Sequence, residues 1–226
     1  MNKNIELLSL RSFTSSMAVR NVVRKDPLTR VLDIFLVLLA LPSVLLLVLV
    51  IAILIMLESR GGVFYGQTRI GKGGQKFKAY KFRTMIQDAD HLLQVFLDKS
   101  PELKAEWLAN HKLKEDPRVT RVGAVLRKYS LDELPQLWNI FIGEMSLVGP
   151  RPIVDAEVEK YGTCFELYKQ VRPGLTGLWQ VSGRSNTSYE HRVDLDEYYL
   201  LNRSFMLDIQ ILFKTVSVVL RKDGAY

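Results

Sequence analysis

The sequence has one cysteine, Cys164, in 226 residues, so no intramolecular disulfide can form and a reducing compartment is the natural reading. Its three histidines, His91, His111 and His191, are scattered without His-x-x-x-His or Cys-x-x-Cys spacing, which argues against zinc. No glycine string has the spacing of a phosphate loop. Gly71-Lys72-Gly73-Gly74 lacks the closing G-K-[ST], and G-x-G-x-x-G fails at Lys76. The apolar run begins only after residue 30 and no small-residue cleavage site follows it, so a cleavable signal peptide is not expected. The net charge of +7 fits an anionic partner, whether nucleotide, nucleic acid or phospholipid surface. With no helix carrying a continuous basic face and no recognised nucleic-acid module, nucleic acid drops out.

The most conspicuous feature present is the stretch 34–57, which contains no charged residue and is interrupted only by Pro42 and Ser43. As a straight helix it would be about 36 Å long, against roughly 30 Å for a hydrocarbon core. Both flanks are basic, with Arg20, Arg24, Lys25 and Arg30 before it and Arg60, Arg69, Lys72, Lys76, Lys78, Lys81 and Arg83 after it. The positive-inside rule puts both flanks in the cytoplasm, which one segment satisfies only by entering and leaving the same leaflet, with a bend at Pro42. A kinked single span is the alternative, and the physics of the segment leaves the two open.

Downstream, residues 63–70 and 75–82 flank the glycine turn and predict a β-hairpin. Ala89, Leu92, Leu93 and Phe96, then Leu103 and Trp107 after Pro101, predict two amphipathic helices, and residues 120–128 a third that carries Arg127 and Lys128. A helix with Glu157, Glu159 and Glu166 reads as solvated surface. Trp179 reads as a buried tryptophan rather than a stacking platform. Phe205, Ile209, Leu212, Val216 and Leu220 form an apolar stripe on the last helix, facing either the core or a membrane plane.

Chemistry centres on residues 126–139, LRKYSLDELPQLWN. Ser130 and Glu133 have capping-box spacing, which would place Asp132 and Glu133 in a first helical turn. Leu134, Leu137, Trp138 and Phe141 would then bury one face. Asp132, Gln136 and Asn139 would share the outward one, with Pro135 bending or shortening the helix behind the acids. Acids at a helix start are also simply favourable, so the pair by itself proves nothing. Glycoside hydrolases hold their carboxyls roughly 5 to 9.5 Å apart from separate elements, which neighbouring residues do not readily match. Adjacent acids near Arg127, Lys128 and Arg151 suit a Mg²⁺-assisted transfer at phosphorus.

The stretches YKFRTM, SLDELPQLWN, GEMSLVGPRP and RPGLTGLWQVSGR, in uninterrupted order from about Val31 to the C-terminus, resemble the bacterial sugar transferases, the monotopic polyprenyl-phosphate phosphoglycosyl transferases. The resemblance implies a proline-broken re-entrant membrane helix; the family commonly has Ser-Pro at the break, where this chain has Pro42-Ser43. It implies that Asp132 attacks the β-phosphate of a UDP-sugar, expelling UMP, and that undecaprenyl phosphate then takes the phosphosugar. By the same resemblance Glu133 holds Mg²⁺ with Asp132 or acts as a base, and Arg127 and Arg151 grip phosphates. Lys81, Arg83 and Asp196 are further substrate-binding candidates. Residues 112–125, SGRSN and VVLRKDGAY look most like the branch that moves galactose-1-phosphate for exopolysaccharide, capsule or O-antigen, with glucose-1-phosphate as the alternative donor group. The rival from another class is a membrane-anchored adaptor in which the acids are only caps.

The expected fold is α+β: a cytosolic tail over residues 1–30, a re-entrant membrane helix over 31–58, and a mostly helical cytosolic catalytic domain with a small hairpin over 59–226. The resemblance puts the chain on the cytosolic face of the bacterial inner membrane, in contact with membrane lipids. Whether it forms a homodimer is left open.

Overall fold

The computed structural model describes residues 27–110, 113, 116–183 and 188–221. The tail before residue 27, part of the stretch 112–125, most of SGRSN and the end of VVLRKDGAY lie outside the described residues.

The apolar run and its flanks form α1, Pro27–Glu58, with Pro42 inside it. The hydroxyl of Ser43 donates to the Ala40 carbonyl at 2.9 Å, satisfying a backbone group beside the proline. Only the two ends of α1 are anchored. Thr29, Asp33 and Val37 near its start, and Ile51 and Ile55 near its end, are buried against the domain, whereas Leu39, Leu46 and Leu49 between them are exposed. Val37 joins Phe77, Ala79, Ile140 and Met145 in one core cluster, and Ile51 and Ile55 join Phe82 and Leu126 in another. Both roots of the helix are thus part of the core of the same domain.

The hairpin forms as its alternation predicts: β1 (Phe64–Ile70) pairs antiparallel with β2 (Lys76–Phe82), from Phe64 opposite Phe82 to Ile70 opposite Lys76. Next come α2 (Ala89–Lys99), α3 (Pro101–Asn110) and α4 (Arg121–Lys128). Thr120 caps α4, its hydroxyl accepting from the Gly123 amide at 2.9 Å. A single 3₁₀ turn, Leu131–Glu133, carries the acids and leads into α5 (Gln136–Ile142). A second strand pair, absent from the sequence expectation, is parallel: β3 (Ser146–Val148) beside β4 (Gly174–Thr176). It brings the GPRP and RPGLTG turns together backbone to backbone. A Cβ on Gly149 would lie 2.7 Å from the Arg172 carbonyl oxygen, so only glycine permits the approach. Between these strands lie a 3₁₀ turn (Asp155–Glu157), α6 (Val158–Tyr161) and α7 (Cys164–Tyr168). The chain continues into α8 (Tyr189–Asn202) and α9 (Phe205–Arg221). The largest core cluster gathers Ile153, Tyr168, Tyr199, Leu200 and Ile211. The architecture is mostly helical, with one small antiparallel hairpin and one long apolar helix near the N-terminus.

Three local expectations need correction. Ser130 is not an N-cap: it sits in the left-handed region at φ 56°, its side chain makes no capping bond, and α5 begins after Pro135 rather than bending at it. A proline tolerated at a helix start, where its missing N–H matters least, wins over one in the interior. The faces of α5 also differ from expectation, although Leu134 and Leu137 do pack against core clusters. Gln136, Asn139 and Ile140 are buried, whereas Trp138 is 57% exposed and stacks on the exposed Phe141. Asn139 explains the difference, because its side chain bonds backbone groups of β2 from inside the domain. Its amide donates to the Lys78 carbonyl at 2.8 Å and to Glu144 Oε2 at 2.6 Å, and its oxygen accepts from the Tyr80 N–H at 3.0 Å. The last correction concerns Glu157, which is not idle surface: it accepts from the Val154 amide at 2.9 Å and lies 3.7 Å from Arg69.

Candidate active site

The acids reach their positions through two neighbouring restraints. Asn139 ties α5 to β2, and the left-handed Ser130 turns the chain sharply between α4 and the acidic turn. A non-glycine residue there costs on the order of 1 kcal/mol or more, and such strain concentrates at functional sites. The result is that Asp132 and Glu133 face the inner side of β2, with side chains 14% and 28% exposed. They do not point away from the domain.

Lys81 lies between them. Its ammonium donates to Glu133 Oε1 at 2.7 Å and stands 3.8 Å from Asp132 Oδ2. The period of two along β2 carries the signal that separates Lys81 from Lys78. Lys81 shares its face with buried Phe77 and Ala79, and Lys78 points outward. Arg127, delivered by α4, donates through Nε to the Thr84 hydroxyl at 2.9 Å. This contact depends on close packing, since a Cβ on Gly123 would fall 2.1 Å from the Thr84 carbonyl oxygen. Arg151, in the GPRP turn, stacks its guanidinium over Trp179 at 5.6 Å, and Arg192 lies near the same ring at 4.9 Å. Trp179 is buried, as expected, and acts as a support for Arg151.

Two of the expected substrate contacts are engaged elsewhere. Arg83 lines the cleft but donates to the carbonyls of Arg60 at 2.7 Å and Ser59 at 2.8 Å, which fastens the end of α1 to the end of β2. Asp196 does not line the cleft. It is 1% exposed, accepts from the Tyr161 hydroxyl at 2.7 Å and lies behind Arg151. Burial pushes its carboxyl up to about 7, against the Tyr161 hydrogen bond and the positive charge of Arg151.

The electrostatics divide the acid pair. Burial pushes Asp132 up to about 6, with Lys81 pulling down, Glu133 repelling and Arg127 attracting. Burial also acts on Glu133, but Lys81, Arg151 and Arg69 outweigh it and hold that carboxyl below its usual range. At neutral pH Glu133 is a fixed anion and Asp132 a basic carboxylate that still ionises, the combination expected of a tuned nucleophile beside a fixed charge. Sequence reasoning missed Arg69, Gln136 and Gln180, which line the pit behind Glu133 with Lys81 and Arg151. Arg69 donates to the Pro152 carbonyl at 3.0 Å and Gln67 Oε1 at 2.6 Å, tying β1 to the GPRP turn. No local pattern distinguishes these three, because what joins them is the meeting of β1, α5 and β4.

Asp132, Glu133, Lys81, Arg83, Arg127 and Arg151 border one cleft, which measures about 1620 Å³. Among the described residues no three His, Cys, Asp or Glu side chains cluster as a ready metal cage. Mg²⁺ does not require one, since it characteristically takes one or two carboxylates and completes its shell with phosphate oxygens and water. Asp132 and Glu133 fit that donor set.

Cationic side chains around a buried acid pair, in a domain that carries an apolar helix long enough by length and composition to cross a membrane, make an arrangement suited to the class of transferases that handle phosphates at a membrane. Within that class the chain belongs to the bacterial sugar transferase family, whose model matches residues 24–222. It is 52% identical over 189 residues to the UDP-galactose-lipid carrier transferase of Erwinia amylovora, covering 83% of this chain and 40% of that protein. It is 49% identical over 197 residues to the exopolysaccharide production protein ExoY of Sinorhizobium fredii, covering 87% of each. It is 51% identical over 166 residues to the undecaprenyl-phosphate galactose phosphotransferase of Salmonella typhimurium, covering 74% of this chain and 35% of that protein. The chain therefore spans well under half of the first and third of these relatives and most of the second.

Proposed function

We propose that this protein transfers a sugar-1-phosphate, galactose-1-phosphate in the first instance, from a UDP-sugar to undecaprenyl phosphate, releasing UMP as an early membrane step in surface polysaccharide synthesis. The observation that carries this reading is the buried Asp132-Glu133 pair, flanked by Lys81, Arg127 and Arg151, in a chain of the bacterial sugar transferase family. The names of its relatives in Erwinia amylovora and Salmonella typhimurium support galactose and a lipid carrier. The adaptor alternative treats the acids as helix caps only, whereas Glu133 accepts from the Lys81 ammonium and both acids line the cleft.

In the proposed reaction an Asp132 carboxylate oxygen attacks the β-phosphorus of the donor. The bond from that phosphorus to the bridging oxygen breaks, and UMP leaves with the oxygen and the electron pair. An oxygen of undecaprenyl phosphate then attacks the same phosphorus, the bond to Asp132 breaks, and the carboxylate is restored. Lys81, Arg127 and Arg151 supply positive charge to the phosphate oxygens throughout, and Glu133 holds Lys81 in place between the acids. Bound Mg²⁺, held by Asp132 and Glu133, would screen the donor's phosphate charge.

For topology we take the re-entrant form, with the domain on the cytosolic face of the inner membrane. Its support is that both ends of α1 are rooted in one domain while the middle is uncovered, an arrangement that suits entry and exit through one leaflet. The test of the function is incubation of membranes holding the protein with radiolabelled UDP-galactose, UDP-glucose and an N-acetylated UDP-sugar, followed by organic extraction. UDP-galactose should label the lipid fraction at least about tenfold faster than UDP-glucose, a gap of about 1.4 kcal/mol in transition-state binding. Preference for another sugar would overturn the donor, and absence of lipid product with every donor would overturn the reaction.

A further inference from the structure

The cleft is lined unevenly. The wall contributed by the hairpin and the segment leading into α2 is mixed, setting Gln67, Arg83, Thr84, Gln87, Asp88 and His91 among Tyr65, Phe82, Met85 and Ile86. The wall contributed by α1, the parallel strand pair and α9 is mainly aliphatic, made by Leu36, Leu147, Leu175, Leu212, Val216 and Val219 with the two threonines Thr176 and Thr215. The second set is held together by packing independent of the acids. Val37 of α1 packs in the cluster that also takes in Leu147 and Leu175, and the Thr176 and Thr215 hydroxyls share a hydrogen bond of 2.8 Å that fastens β4 to α9. Lys81, Asp132, Glu133 and Arg151 stand where the two sides meet.

We infer that the apolar side is the seat of the acceptor's hydrocarbon tail, so that an isoprenyl phosphate lies along α1 and α9 with its phosphate at Lys81 and Arg151, and the soluble nucleotide occupies the mixed side. This rests on the transfer reaction proposed above and adds which wall holds which substrate. A ligand suited to this cleft must combine an anionic head with an apolar body, because the cationic centre and the leucine wall belong to one continuous space. Lipid is the natural source of such a ligand here. The same two helices also carry apolar side chains that the described residues leave exposed, including Leu39 of α1 and Met206 and Phe213 of α9, the last 75% exposed. A tail could therefore slide in from a bilayer without crossing water. Separating the two substrates on opposite sides of one acid pair also lets the nucleotide leave toward water while the acceptor stays in lipid.

The experiment compares a long acceptor, undecaprenyl phosphate, with a two-isoprene phosphate whose tail is too short to use the wall. Leu212→Trp fills the apolar side, and Val216→Asp, at a position 60% exposed, makes it polar with little demand on folding. Both should raise KM for the long acceptor at least tenfold and leave turnover of the short acceptor, and KM for the UDP-sugar, within twofold of wild type. Parallel losses with both acceptors, or no change in the long-acceptor KM in either variant, would overturn the inference. In the unmodified protein, an undecaprenyl phosphate analogue with a photoreactive tail should mark peptides of α9. Marking of residues 61–91 instead would put the tail on the mixed side and overturn it. If the wild-type protein forms no lipid product from either acceptor, the transfer reading itself fails, and the inference with it.

Discussion

Replacing Asp132 with Asn should abolish turnover and at the same time stabilise the fold, and the size of the second effect follows from the site. The Asp132 carboxyl titrates at about 6 against an ordinary 3.8, chiefly because it is buried, with Glu133 adding repulsion that Lys81 and Arg127 do not fully offset. A folded-state pKa raised by about two units means that the ionised form destabilises the fold by about 3 kcal/mol at neutral pH. The sign is that of a raised acid: the penalty is absent well below pH 3.8, grows as pH rises through the window from 3.8 to about 6, and is complete above it. Asparagine keeps the shape and removes the charge, so at pH 7.5 the variant should melt higher. For a domain of this size the upper limit is roughly 6–12 °C. At pH 5, where most of the wild-type carboxyl is already protonated, the free-energy gap should shrink to about half. The assay is thermal melting in detergent at both pH values, paired with UMP release. A variant less stable than wild type at pH 7.5, or a gap unchanged at pH 5, would refute the electrostatic reasoning. Retained UMP release would refute the nucleophile.

The same titration should appear in catalysis as an acid limb of kcat/KM with an apparent pKa near 6, belonging to the pair as a unit; a profile flat from pH 5 to 8 would contradict it. Gly123→Ala puts a methyl group where the Thr84 carbonyl oxygen lies, so α4 must move and draw Arg127 off the Thr84 hydroxyl. Stability should fall by about 1–3 kcal/mol and donor KM should rise, as melting and initial rates would report. For topology, cysteines placed at Leu28 and Lys72 should react with a membrane-impermeant thiol reagent from the same side, the native Cys164 being buried and silent. Labelling from opposite sides would refute the re-entrant helix. Pro42→Leu should favour a through-span and lower activity.

Much of this protein was determined by local sequence alone. The uncharged stretch 34–57 formed one helix long and apolar enough to cross a membrane. The hairpin formed around Gly71-Lys72-Gly73-Gly74 as expected, and the periodic helices at residues 89–99 and 121–128 formed close to their expected bounds. The order of four motifs was enough to place the chain in its family. What local pattern could not decide was direction. Periodicity grouped Trp138 and Phe141 with Leu134 and Leu137, and only the last two pack inward. The answer depended on Asn139 finding the backbone of β2, a partner about sixty residues away, which left Trp138 and Phe141 outside. Asp208 on α9 shows the same effect. It lies off the apolar stripe yet is completely buried, because Thr29 of α1 and Tyr199 of α8 donate to its two oxygens at 2.9 and 2.7 Å. Likewise, Arg83 and Arg127 look alike in sequence, and only tertiary contacts send one to the carbonyls at the end of α1 and the other beside the acids. A buried polar group must be satisfied by whatever the fold brings to it. That partner is a property of the three-dimensional arrangement, which is why the chemistry of the acid pair could be read in order along the chain and its surroundings could not.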